Sequence, residues 1–125
     1  MGKLFILLLM IFLHIVADYN LQGWLASAKR KSFWEENAPD PQYKHDYICA
    51  LIIHAFAWSF MIMLPVFYIH GFSMSPLLLE LFLGNTAFHA MVDDSKANRK
   101  VLNLWQDQLF HMLQILITAA FCVFM

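Results

Sequence analysis

The chain is poor in cysteine: Cys49 and Cys122 are the only two, and they form no CxxC pair. They stand near opposite ends of apolar runs, so a disulfide framework is excluded. Charge is scarce as well, at 14% of residues, and the net charge of -1 offers no basic excess for nucleic acid. Period-two alternation is absent from the apolar runs, which excludes a membrane β-barrel. What is abundant is hydrophobic surface, at 61% of 125 residues. That share lies well above an ordinary soluble domain.

The hydrophobic residues gather into four stretches: Leu4–Leu21, Tyr47–Ile69, Leu77–Val92 and Leu104–Phe124. Each approaches the ~20 residues that span a hydrocarbon core, the first and third needing their polar ends at the interface. The expected architecture is an all-α, integral membrane four-helix bundle. A single transmembrane domain fills residues 1–125, with helices over 4–22, 46–69, 76–96 and 103–124, and there is no separate soluble domain. Lys3, the run from Leu4 to Leu13 and the small residues Ala26-Ser27-Ala28 imitate a signal peptide. The small residues lie far beyond the apolar run, so the segment reads as a retained first helix.

Basic residues set the orientation. Lys29, Arg30, Lys31 and Lys44 follow the first helix and Lys96, Arg99 and Lys100 follow the third, leaving Lys3 alone on the other side. The positive-inside rule places loops one and three in the cytoplasm and both termini outside. Trp24 and Trp105 then fall at the cytoplasmic interface. In the long first loop, Leu25, Phe33 and Trp34 alternate with the basic cluster. That pattern fits a short amphipathic helix, ended before Pro39-Asp40-Pro41, serving as a solvated connector or as a lid over a site.

The informative pattern is repeated pairing of His and Asp inside these apolar runs. His14 and Asp18 read HxxxD, His89 and Asp93 read HxxxD, and Asp107 and His111 read DxxxH. A spacing of four puts each pair on one helix face. Alternate membrane helices run in opposite directions, so the reversed order in the last helix keeps every His deeper than its Asp. His54, on the second helix, falls at the same depth, roughly 10–12 Å from the cytoplasmic ends at 1.5 Å per residue. Asn85 and Lys96 share the face of His89, Gln114 shares that of His111, and Gln22 extends that of His14. The two halves of the chain read as related hairpins, clearest in His-Ile-Val-Ala-Asp against His-Ala-Met-Val-Asp. Ionisable residues in a membrane segment are functional candidates by default.

Neutral imidazole and carboxylate are the ligands of divalent Zn, Mn or Fe. The expected metal ligands are His14, Asp18, His89, Asp93, Asp107 and His111, enough for one closed site or two adjacent ions. His54 completes the site or acts as general acid/base, and Lys96 steadies an anionic group. If the pattern carries a shared site, the imidazoles of His14, His89 and His111 lie within roughly 3–8 Å of one another. The expected activity is hydrolysis of a phosphate or acyl ester at the membrane surface, with membrane lipid as partner. The alternative is a non-enzymatic membrane protein. Its His/Asp network would support helix packing, homo-oligomerisation, partner binding or passage of ions or protons. His45 and His70 read as solvated.

These residues carry a resemblance. His14-x3-Asp18-Tyr19-x-Leu21-Gln22, His89-x3-Asp93-x2-Lys96 and Asp107-Gln108-x2-His111 resemble an uncharacterised family of small bacterial and phage integral membrane proteins. That family's pattern is H-x3-D-F-x-L-Q, H-x3-D-x2-K and D-Q-x2-H, and Tyr19 stands where it has Phe. The likeness covers essentially the whole chain. The layout is more distantly similar to the LexA-regulated type of membrane-bound metal-dependent hydrolases. That second resemblance implies a metal-dependent hydrolase, though fold-level likeness does not fix function.

Overall fold

Local chemistry sets where each helix starts and stops. The computed structural model of the chain describes residues 2–125 and is all-helical among them. Helix α1 runs over Lys3–Ile15 and widens into a π-helical turn over Val16–Asn20. Gly23, at φ 53°, then turns the chain through a left-handed conformation that glycine adopts freely. Loop one folds into two short helices, α2 (Leu25–Ala28) and α3 (Lys31–Asn37), and a 3-10 turn over Pro41–Tyr43. Helix α3 stops at Asn37, ahead of Pro39.

Helix α4 spans Asp46–Ile69. Helix α5 spans Pro76–Ala97 and opens on Ser75, whose Oγ accepts from the Leu78 amide at 3.2 Å, with Pro76 in the first turn where a missing amide proton is harmless. Helix α6 covers Leu104–Ala119 and ends in a π turn over Ala120–Phe124. It opens on a capping box: Asn103 Oδ1 accepts from the Gln106 amide at 2.9 Å and Gln106 Oε1 accepts from the Asn103 amide at 3.0 Å.

The long helices close a ring, α1 and α5 each packing on both α4 and α6. Its interior is divided along its length. One half is apolar, with Ile6, Met10, Ile62, Met63, Val66, Leu78 and Ile115 buried. The other half is polar and equally buried: His14, His54, Asn85, His89, Asp93, Asp107, His111 and Gln114, with Ser59 and Thr118 at the border between the two. The outer faces carry exposed Leu4, Leu8 and Phe12 on α1, Ile52 and Phe56 on α4, Leu79 and Leu83 on α5, and Leu109 and Leu116 on α6.

By length and composition three helical segments can cross a membrane: Lys3–Asn20, Pro41–Ile69 and Leu104–Phe124. The third apolar run of the sequence also forms a long helix, α5, but does not reach that mark. Its interior face carries Asn85, His89 and Asp93, and Glu80, Asp94 and Lys96 add further polarity.

Candidate metal centre

The polar residues converge where α1 and α5 end and α4 and α6 begin. Ring centroids stand 5.6 Å apart for His14 and His111, 5.1 Å for His54 and His89, and 4.2 Å for His89 and His111. Asp18 leaves α1 within its π turn, where the Leu21 amide donates to the Val16 carbonyl at 2.9 Å. Such turns recur at functional sites. The Asp18 carboxylate reaches His54 Nε2 at 3.2 Å, His89 Nε2 at 3.8 Å and His111 Nε2 at 3.9 Å. From the opposite side Asp93 reaches His54 Nε2 at 3.3 Å, His89 Nε2 at 3.5 Å and His111 Nε2 at 3.3 Å. Asp107 Oδ1 lies 3.3 Å from His111 Nε2.

Three overlapping groups have ligand atoms close enough to hold a metal ion: Asp18 with His89 and His111, His54 with His89 and Asp93, and Asp93 with Asp107 and His111. His54 therefore stands among the possible ligands themselves. His14 does not, although it was expected there with the other two histidines. Its two ring nitrogens are already used. Trp58 Nε1 can only donate, and it donates to His14 Nδ1 at 2.8 Å. The His14 proton therefore sits on Nε2, which donates to Gln108 Oε1 at 2.9 Å. Gln108 Nε2 donates in turn to Asp107 Oδ2 at 3.0 Å. His14 is thus the middle of a one-way chain, Trp58 to His14 to Gln108 to Asp107. The chain fixes one Asp107 oxygen and leaves Oδ1 buried and without a hydrogen-bond partner.

A second chain fixes His111. The Asn85 backbone carbonyl can only accept, and Gln114 Nε2 donates to it at 3.1 Å. That turns Gln114 Oε1 toward His111 Nδ1, at 3.3 Å, so Nδ1 carries the proton. His111 Nε2 has no partner in hydrogen-bonding geometry, nor has Asp18 Oδ1. A neutral His111 turns the Nε2 lone pair toward carboxylate oxygens at 3.3 Å, a contact that needs a proton or a metal ion between the atoms. Holding one ring nitrogen by a hydrogen bond so that the other presents its lone pair is how proteins orient histidine ligands.

Two lysines stand at the mouth. Lys29 Nζ donates to Asp93 Oδ2 at 2.9 Å, and Lys96 Nζ lies 3.7 Å from Asp107 Oδ2. Lys29 comes from loop one, which is fastened over the site. Asn98 Nδ2 donates to the Lys29 carbonyl at 3.0 Å, and Asn98 Oδ1 accepts from the Lys31 amide at 2.6 Å. A cavity of about 210 Å³ opens there, lined by Asp18, Tyr19, Gln22, Lys29, Asp93, Lys96, Asp107 and Gln108. His70, away from the site, meets the Cys122 carbonyl through Nε2 at 3.1 Å.

Lys29, Trp58 and Gln108 are site residues that the sequence reading left out. Gln108 stands beside Asp107 in the late motif, a signal that was available. Nothing in residue spacing marks Lys29 or Trp58. No protein-family model, curated protein or solved structure matches the chain.

Proposed function

We propose that the protein is an integral membrane metalloprotein of the bacterial inner membrane that hydrolyses a phosphate ester at the cytoplasmic membrane surface. In this reading α1, α4, α5 and α6 cross the bilayer as a four-helix bundle, with loops one and three in the cytoplasm. The protein then belongs with the small bacterial and phage membrane proteins whose motifs it resembles. The observation that carries the reading is the inversion of polarity: imidazoles and carboxylates are buried while leucine, isoleucine and phenylalanine cover the outside. In water that arrangement would leave a large apolar exterior unsatisfied, whereas lipid solvates it. Helix α5 fits as the fourth span because Asn85, His89 and Asp93 face the interior and Leu79 and Leu83 face out, while exposed Glu80 lies near its start, at the outer interface.

Ligation by His54, His89, His111, Asp18, Asp93 and Asp107 fits a divalent Zn, Mn or Fe ion. Held there, the ion would supply Lewis-acid chemistry: a water acidified to a pKa of about 7 and polarisation of a phosphoryl oxygen. His14 positions Asp107 through Gln108. Lys29 and Lys96, at the mouth beside the carboxylates, supply positive charge for an anionic headgroup, which favours a phosphate ester over an acyl ester. A path for ions or protons across the membrane fits less well. The buried Met10, Ile62, Met63 and Val66 close the interior beyond the polar half.

The test is purification from membranes without chelator, elemental analysis, and assay with vesicles carrying a phosphomonoester lipid. Bound Zn, Mn or Fe and phosphate release that stops on chelation are expected. Protein that carries no metal and takes up none on titration overturns the proposal.

A further inference from the structure

Resting on the metal reading above, the geometry points to two ions rather than one, held side by side and bridged by the carboxylates of Asp18 and Asp93.

The argument starts from which oxygen of each carboxylate faces which ring. Asp93 Oδ2 faces His54 Nε2 at 3.3 Å and His89 Nε2 at 3.5 Å, while its other oxygen, Oδ1, faces His111 Nε2 at 3.3 Å. Asp18 repeats the division from the other side. Its Oδ1 faces His54 Nε2 at 3.2 Å and His89 Nε2 at 3.8 Å, and its Oδ2 faces His111 Nε2 at 3.9 Å. Each carboxylate therefore gives one oxygen to a His54/His89 position and the other to a His111/Asp107 position. The second position is completed by Asp107 Oδ1, 3.3 Å from His111 Nε2.

The separations suit ligands of a common ion. Bonds of ~2.0–2.2 Å at tetrahedral angles put neighbouring ligand atoms roughly 3.3–3.6 Å apart. At the first position, His54 Nε2 and His89 Nε2 are 3.2 Å apart, and their approaches to the two carboxylates run from 3.2 to 3.8 Å. Hydrogen bonding does not account for this crowding. His54 Nε2 has three neighbours, His89 Nε2, Asp18 Oδ1 and Asp93 Oδ2, and a single ring proton points at one of them. A cation among the four atoms serves all of them at once.

The second position has independent support. His111 Nε2 and Asp107 Oδ1 are buried and have no hydrogen-bond partner, and Asp18 Oδ1 at the first position shares that condition. Buried polar atoms are rarely left so. A single ion among Asp18, His89 and His111 leaves Asp107 Oδ1 orphaned, and one among Asp93, Asp107 and His111 leaves Asp18 orphaned, whereas two ions reach all three residues. Lys29 is compatible with the bridge, because a carboxylate oxygen has a second lone pair to accept its 2.9 Å hydrogen bond. Carboxylate-bridged pairs of ions are known in the interior of soluble helix bundles.

The experiment loads metal-stripped full-length protein in micelles with Mn²⁺ alone. It then measures manganese per chain by elemental analysis and ion–ion coupling by low-temperature electron paramagnetic resonance. Two ions per chain with an exchange-coupled spectrum are expected. Asp107→Asn should reduce the content to one ion and replace the coupled spectrum by that of an isolated ion, and His54→Ala should do the same from the other side. One ion per chain in the wild type at saturation, or two that are not coupled, overturns the bridged pair and leaves the single-metal reading standing. Retention of two coupled ions by Asp107→Asn also overturns it. Refusal of Mn²⁺, Zn²⁺ and Fe²⁺ alike overturns both the pair and the function proposed above. The wild-type measurement decides the question even if a variant fails to fold.

Discussion

Replacing Asp93 by Asn separates a ligand from a mere helix bridge. The substitution keeps the shape and removes the charge that three imidazoles and Lys29 approach. Loss of the partly buried Lys29 bond, 2.9 Å long, weakens the metal-free protein by about 1.5–3 kcal/mol whichever role Asp93 has. Baseline stability is therefore the wrong readout, and the increment on adding metal is the right one. An ion present at 100 times its Kd stabilises the folded state by ~2.7 kcal/mol. Losing a direct ligand should exceed the about 10–100-fold that indirect changes cost. At the same ion concentration an affinity weakened 100-fold leaves an increment of only ~0.4 kcal/mol. The assay is denaturant unfolding in micelles with and without Mn²⁺, for wild type and Asp93→Asn in parallel. Equal metal-dependent increments in the two proteins would refute Asp93 as a ligand. No increment in the wild type would refute the metal centre.

Four further outcomes are expected. His89→Ala removes a ring belonging to two of the three candidate groups and leaves the Asp93, Asp107 and His111 group, so it should lower the metal content to one ion per chain. His14→Ala should keep the stoichiometry and weaken affinity about 10–100-fold, since His14 acts through Gln108; equal loss in the two variants on elemental analysis would contradict that difference. Metal loading should fall as pH is lowered, because imidazole must be neutral to ligate and protons compete with the ion; retention that is flat through the imidazole range would speak against histidine ligation. In a chain with Cys49 and Cys122 replaced by Ser, Lys31→Cys and Arg99→Cys should react with an impermeant maleimide only after the inner membrane is opened, and labelling of intact spheroplasts would reverse the topology.

Much of the fold could be read from the chain because long helices with apolar outer faces write themselves as apolar runs. The convergence of the imidazoles was legible for a similar reason. A four-residue spacing fixes a helix face, and reversed motif order fixes depth. What spacing does not fix is the neighbour on the facing helix. The His14 and His89 motifs are alike in sequence, yet the nitrogens of the first ring meet Trp58 and Gln108, while Nε2 of the second meets His54, Asp18 and Asp93. Their roles diverge on contacts between helices that no single-helix periodicity carries. Lys29 was hidden differently. A basic residue after a membrane helix accounts for itself as a topology signal, and only the Asn98 clasp brings its side chain back to Asp93.

Trp58 makes the centre visible. Its indole is fully buried, stacks on the His89 ring at 4.1 Å and 21°, and donates its N–H to His14. Trp24 and Trp105, by contrast, are 62% and 81% exposed. Whatever takes place at His89, whether a proton, a closed-shell ion or a paramagnetic one, occurs against the face of this one fluorophore. If the site binds metal as proposed, a paramagnetic ion there would quench the shielded emission and Zn²⁺ would not, which gives an optical gauge of the kind of ion that has arrived.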